Sequence, residues 1–341
     1  VADAPTPERP NLDQARHRAP EADASLYLHP QTLARLGSFE LRAKHIVEGV
    51  MSGMHRSPHH GFSVEFSQHR QYVAGDDIKH LDWKVYGRSD KLYLKQYQQE
   101  TNLDLMLLVD SSGSMAYGTR TFADASGVGR EKGPRGESNW SKFDHATAFG
   151  AAMAYVALRQ GDRVGLAVYA DEIRAMLRRS SQQAQWRQIV GALSTHPVDK
   201  QTDMARVIDQ VIAKLNNRCL IVILSDFFED IDKLRAALAR LKHRRHDAIL
   251  FQVMDTQELE FNFTDAAPFE GLEGEERIRL DPRSVRKDYL EAVNRHLDGV
   301  RRTARAFGFD YQLTRTSDWL GPPLAAFLAR RNARLKRTKA G

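Results

Sequence analysis

Residues 105–115 read Leu-Met-Leu-Leu-Val-Asp-Ser-Ser-Gly-Ser-Met. This run limits the fold more than any other part of the chain. Five consecutive apolar side chains do not alternate, so the segment reads as a strand inside a sheet covered on both faces. The run stops at Asp110, and hydroxyls follow at Ser112 and Ser114 with a glycine between them. In open α/β sheets, ligands gather just beyond the carboxyl ends of the strands. Asp110, Ser112 and Ser114 therefore stand where one carboxylate and two hydroxyl oxygens can converge on a hard cation. The pattern points to a metal-dependent binding surface more than to a catalytic pocket.

From Leu103 onward apolar strand-length runs alternate with helical periodicity. Strands are expected at 104–109, 163–169, 219–224, 248–254 and 309–314, with a short one near 174–177. Helices are expected at 141–159, 183–194, 203–216, 230–243, 284–306 and 322–336. This alternation predicts an α/β fold with a doubly wound, mostly parallel sheet. The Gly-rich stretch 118–139 interrupts the domain without a core pattern, which suits a functional or disordered insert. The expected organisation is a disordered lead at 1–28, a small N-terminal α+β module at 29–102, the main domain at 103–336 and a basic tail at 337–341. In the module, a helix over 29–50 is followed by strands at 62–66 and 91–98, with Gly75-Asp76-Asp77 as a turn.

The 341 residues, 42% of them hydrophobic and 28% charged, suffice for a core without covalent staples. The single cysteine, Cys219, opens the run Cys219-Leu-Ile-Val-Ile-Leu224 and reads as a small buried hydrophobe in a reducing compartment. No segment reaches the roughly 18 apolar residues needed to span a bilayer; the nearest, Phe149–Leu158, stops at Arg159. The Pro-rich, charged first ten residues contain no apolar signal core. A cytoplasmic location is the expectation. The net charge of +6 owes much to Arg330, Arg331, Arg334, Lys336, Arg337 and Lys339. Such a tail could touch nucleic acid, but a solvated helix end explains it more simply. Nucleic acid is therefore not an expected partner.

Two further segments are expected at the same edge of the sheet. Ile221-Val-Ile-Leu-Ser-Asp226 ends a second buried strand in an acid, and Asp199-Lys-Gln-Thr202-Asp203 leads into the helix that follows. If the strand of Asp226 lies beside that of Asp110, then Asp110, Ser112, Ser114, Thr202 and Asp226 supply an all-oxygen donor set. Such a set suits Mg²⁺ or Mn²⁺. With few carboxylates in direct contact, the ion stays electron-poor on its open side and attracts a carboxylate from another protein. The residues beside these ligands, Ser111, Gly113, Met115 and Asp203, are expected to form the contact surface for that partner.

Asp110-Ser-Ser112-Gly-Ser114 resembles the Asp-x-Ser-x-Ser core of the metal-ion-dependent adhesion site (MIDAS) of von Willebrand factor A domains. The resemblance implies Thr202 as the distal hydroxyl ligand and Asp226 as the distal carboxylate, often acting through water. Upstream, the segment from Phe66 to Trp83, with Gly87-Arg88 and Leu92-Tyr-Leu-Lys95, is similar to the signature of the bacterial "domain of unknown function 58" family. Members of that family carry a von Willebrand A-like region. The resemblance spans roughly residues 30 to 330. It implies association with MoxR-type AAA+ ATPases and a non-enzymatic adaptor role in assembling or remodelling protein complexes. The long insert after Met115 departs from the family pattern.

Each feature also has an ordinary explanation. Thr202 could cap the following helix, Asp226 could open a capping box with Glu229, and Ser112 or Ser114 could cap a helix after the first strand. His55, His59 and His60 lack the spacing of a zinc site. Lys242-His-Arg-Arg-His246 suits a helix C-terminus. Arg70, Asp76, Asp77, Asp82, Trp83 and Arg88 read as a turn with ion pairs, and Tyr93 and Tyr97 as one face of a strand. The competing function is a Mg²⁺-dependent phosphoryl-transfer enzyme or hydrolase with Asp110 as nucleophile. Against it, the second acid of haloacid-dehalogenase-like phosphatases is replaced by Ser112. Walker A, Gly-x-Gly-x-x-Gly and Gly-x-Ser-x-Gly motifs are also missing.

Overall fold

Asp110 ends β3 (Asp104–Asp110), a central strand of a six-stranded sheet. The structure is a computed structural model that describes residues 43–48, 66–73, 82–97, 103–123, 137–195, 198–263, 267–269 and 278–328. Before β3 come β1 (Phe66–Gln71), α1 (Trp83–Ser89) and β2 (Tyr93–Tyr97), with β1 and β2 paired antiparallel. A 3-10 turn (Gly113–Ala116) follows β3 and leads into the hairpin β4 (Arg120–Ala123) and β5 (Glu137–Trp140). Next are α2 (Lys142–Arg159), β6 (Arg163–Tyr169), β7 (Ile173–Ser180), α3 (Ala184–Ser194) and α4 (Met204–Ala213). The chain continues through β8 (Leu220–Ser225), α5 (Ile231–His243), β9 (Asp247–Met254) and α6 (Thr256–Glu260). A small hairpin of β10 (Ala267–Phe269) and β11 (Ile278–Leu280) precedes α7 (Pro282–Ala306) and β12 (Asp310–Arg315).

The large sheet runs β12-β9-β8-β3-β6-β7, all parallel except β7, which is antiparallel to β6. Counted along the chain, these six strands lie in the order 6-5-4-1-2-3. That is a doubly wound sheet, with its switch point between β3 and β8. The α/β class expected from the sequence is the observed one.

Side chains on a strand alternate between faces, and the two cores divide accordingly. Leu105, Leu107 and Val109 of β3 join Val222 and Leu224 of β8 in a core with α2 and α3. Met106 and Leu108 join Ile221 and Ile223 in a second core with α4, α5 and α7. Ala43 and Ile46, expected within the N-terminal module, are buried in the first of these cores. Each fully buried aliphatic side chain contributes about 1.5–3 kcal/mol, so the buried runs of β3, β8 and β9 account for the central sheet. Gly150 lets α2 approach β8: a Cβ there would lie 3.3 Å from Leu224 Cδ1.

Several expectations shift in detail. The short strand near 174–177 is eight residues long. The N-terminal strand expected at 62–66 is described over Phe66–Gln71. Residues 118–139, expected to lack a core pattern, are framed by the β4–β5 hairpin, and Trp140 at its base is fully buried. The final helix is described over 321–328. His55, His59, His60, Asp76, Asp77 and the basic tail lie outside the described residues.

Candidate functional site

Strand register brings the site together. Val109 pairs with Leu224, so the next residues, Asp110 and Ser225, lie side by side on the face that carries Met106, Leu108, Ile221 and Ile223. Ser225 Oγ donates to Asp110 Oδ2 at 2.5 Å. The Ser112 backbone N–H donates to Asp110 Oδ1 at 2.9 Å, and the Ser112 and Ser114 hydroxyls meet at 3.2 Å. Backbone bonds latch the loop before α4 onto this edge: Gly113 N–H to the Lys200 carbonyl, Asp199 N–H to that of Ser111, and Asp203 N–H to that of Ala170. The latch places Thr202 Oγ1 3.3 Å from both carboxylate oxygens of Asp110.

Asp110, Ser112, Ser114 and Thr202 are thus brought together as the sequence suggested. The capping explanations do not hold. Asp203 caps α4, accepting from Arg206 N–H at 3.0 Å, and Asp230 caps α5. Ser112 precedes the 3-10 turn without making a side-chain cap bond.

Asp226 reaches the same edge but faces another group. Its Oδ2 accepts from Lys142 Nζ at 2.7 Å, and its Oδ1 accepts from the Phe228 N–H at 3.2 Å. Lys142 Nζ also donates to Glu258 Oε1 at 2.7 Å. Lys142 is fully buried, and its ammonium lies 4.9 Å from the centre of the Phe228 ring. Burial works against the charged amine, but Asp226 and Glu258 outweigh it and hold the Lys142 pKa above the ordinary lysine value.

Asp110 is fully buried, and among the described residues no basic side chain pairs with it. Burial, reinforced by the nearby charge of Asp226, pushes its pKa from 3.8 up to about 7, against the opposing bonds from Ser225 and Ser112. Glu229, which accepts from the Met204 N–H at 3.4 Å, is pushed up to about 7, chiefly by burial. Two non-glycine residues with left-handed backbone flank the edge, Lys200 at φ 66° and Phe227 at φ 57°. Strain of this kind persists only where the surroundings enforce it, and it concentrates at functional sites.

Three of the expected partner-contact positions are interior, which corrects that reading. Ser111 is buried, and its hydroxyl donates to the Tyr169 carbonyl at 2.8 Å. Gly113 and Met115 are buried in the 3-10 turn, which folds Met115 into the first core. Asp203 is occupied as the cap of α4.

Sequence reasoning missed Ser225 and Lys142. The signal for Ser225 was its position as the first polar residue ending an apolar strand. For Lys142 it was a cation in the first turn of a helix, where the dipole disfavours positive charge. Among the described residues no three His, Cys, Asp or Glu side chains form a metal cage; the oxygens around Asp110 are hydroxyls. At the opposite end of the sheet, Lys242–His246 closes α5, and the buried His246 ring lies 3.6 Å from Cys219 Sγ. In the N-terminal region Asp82 accepts from the Val85 N–H at 3.3 Å, at the start of α1, while Trp83 is exposed.

Several known proteins are similar to this chain. The uncharacterized protein Rv1480 of Mycobacterium tuberculosis is 27% identical over 313 residues, covering 90% of this chain and 92% of the relative. Among solved structures, an aerotolerance-related membrane protein from Bacteroides fragilis matches at 16% identity and TM-score 0.41, covering 69% of this chain and all of the other. The SpRpn10 VWA domain matches at 14% identity and TM-score 0.34, covering 66% of this chain and 94% of the domain. The cytoplasmic location expected from the sequence is withdrawn, because a structural match is itself a membrane protein. Among the described residues no helix is long and apolar enough to cross a membrane, and that observation assigns no compartment. Residues 68–298 match the family described as "Protein of unknown function DUF58", and the chain belongs to it.

Proposed function

We propose that the edge formed by β3, β8 and the loop before α4 binds a divalent cation, Mg²⁺ or Mn²⁺, and presents it to an acidic side chain of a partner protein. The observation that carries this reading is Asp110. Its carboxylate is fully buried and bonded only to neutral donors, and among the described residues no cation balances it. A buried carboxylate without a counter-charge is costly, and a hard cation removes the cost. The surrounding donors fit such an ion. Ser112, Ser114 and Thr202 offer hydroxyl oxygens, and hard divalent cations prefer oxygen. A bound ion would supply an electron-poor docking point for a carboxylate. Asp110 would hold it, the three hydroxyls would complete its protein-side contacts, and Ser225 would orient the carboxylate through Oδ2.

The role is that of a non-enzymatic adaptor. Its partner is an acidic protein surface, and the family resemblance suggests a MoxR-type AAA+ ATPase or that ATPase's client. The test is affinity capture with Mg²⁺ or with chelator, using the unaltered chain and Asp110→Ala. Mg²⁺-dependent capture that Asp110→Ala abolishes, with the variant still folded, is the expected result. Equal capture under all four conditions would overturn the proposal. Phosphatase or ATPase turnover that depends on Asp110 would favour the enzymatic alternative.

A further inference from the structure

We propose that Lys142 is a built-in counter-cation, which offsets the charge of Asp226 so that an ion held at Asp110 stays electron-poor for the partner's carboxylate. This inference rests on the reading of the edge as a metal site. Lys142 occupies a position that disfavours lysine twice over. It is fully buried, where an ammonium loses its hydration. It is also the first residue of α2, at the positive end of the helix dipole. Nothing about the helix calls for a cation there, because the N-terminus is already closed by the Ser141–Asp144 capping box.

What holds the ammonium comes from other segments. Asp226 lies just past β8, and Glu258 lies on α6. The ring of Phe228 covers the ammonium at 4.9 Å and that of Tyr117 lies at 5.9 Å, both offering the electron-rich face that favours a cation. The Lys142–Asp226 contact is the more sheltered of the two: the Asp226 side chain is 2% exposed and that of Glu258 13%.

The charge count gives this contact a consequence. A divalent ion beside Asp110 alone keeps one positive charge. A second unpaired carboxylate at Asp226 would bring that sum to zero and weaken attraction for an incoming acid. Lys142 offsets one of the two carboxylates it bonds, Asp226 and Glu258, so the edge carries one negative charge fewer than it would without the ammonium, while Asp226 stays in place. Lys142 is thus a positioning residue that trades metal affinity for carboxylate affinity.

That trade separates the inference from a purely structural role. The experiment uses the full chain, with Mn²⁺ alone as the first probe, titrated by calorimetry. Acetate is the second probe, added to the Mn²⁺-loaded protein and followed by Mn²⁺ electron paramagnetic resonance. Lys142→Met frees Asp226 and is expected to bind Mn²⁺ about tenfold tighter and acetate about tenfold more weakly, the scale of one added charge in a partly screened site. The double variant Lys142→Met/Glu258→Gln removes one positive and one negative charge together and should show smaller opposed changes than Lys142→Met. If either variant needs Mn²⁺ to fold, the inference is supported, because the ion then replaces the missing ammonium. A loss of both affinities, unchanged affinities, or failure to fold even with Mn²⁺ overturns it. Absence of Mn²⁺ binding by the unaltered chain overturns the metal reading itself, and this inference falls with it.

Discussion

Replacing Asp110 with Asn removes a charge that the metal-free fold holds at a cost. The carboxyl pKa is 3.8 in the unfolded chain and about 7 in the folded one. The folded state therefore binds the proton more tightly. The stability associated with that proton is complete below pH 3.8 and is lost as pH rises through about 7. That difference in proton affinity corresponds to about 4 kcal/mol. In chelator at pH 8, Asp110→Asn should be the more stable protein by up to about 4 kcal/mol, and at pH 5 by less than about 2. The amide keeps an oxygen for the Ser112 N–H, and the Ser225 hydroxyl can turn to accept from the new NH₂. His145, whose pKa burial lowers to about 3, destabilises the fold as pH falls below its ordinary value of 6.5. It is present in both proteins and cancels in the difference. Urea unfolding at the two pH values, with and without Mg²⁺, measures the effect. Saturating Mg²⁺ at 100 times its dissociation constant should add about 2.7 kcal/mol to the unaltered protein and nothing to the variant. An unaltered protein that is the more stable of the two in chelator at pH 8, or a difference that does not narrow at pH 5, would refute the reasoning.

Two further outcomes are expected. Asp203→Ala should cost about 1 kcal/mol through loss of the α4 cap, while Mg²⁺-dependent capture survives, since Asp203 is occupied with Arg206 N–H; denaturant unfolding alongside the capture assay checks both. Cys219 is buried and its pKa is pushed up to about 12, chiefly by desolvation, so iodoacetamide at pH 8 should label it only after unfolding, as read by mass spectrometry.

The sheet was legible because the bodies of β3 and β8 are apolar without interruption and that of β9 is broken only by Gln252, a pattern that suits a doubly covered sheet. The Ser112 and Ser114 hydroxyls were legible because they lie one turn beyond a strand end, and Thr202 because its loop leads into the helix that follows. Ser225 was not, because its placement depends on β8 lying beside β3 in the register Val109 to Leu224, a long-range fact that no local pattern contains. The same register explains why Asp226, one residue on, meets Lys142 and not the Asp110 carboxylate. Ser111, Gly113 and Met115 were misread because adjacency to Asp110, Ser112 and Ser114 was taken as exposure, whereas the 3-10 turn carries Met115 inward. The helix caps were misplaced because both loops are rich in Asp, and the helices begin at Met204 and Ile231, each just after an aspartate.

The β4–β5 hairpin has a practical consequence. Arg120 pairs with Trp140 and Ala123 with Glu137, so the chain leaves and re-enters the body at neighbouring points. Thr119, just before this neck, is bonded to Asp255 at 2.6 Å, and Trp140 anchors the return strand in the core. Lengthening a segment whose ends are already held together costs little, about 0.6 kcal/mol per doubling. The neck can therefore take added length at small cost, which makes it a natural place to graft a reporter or a foreign recognition loop.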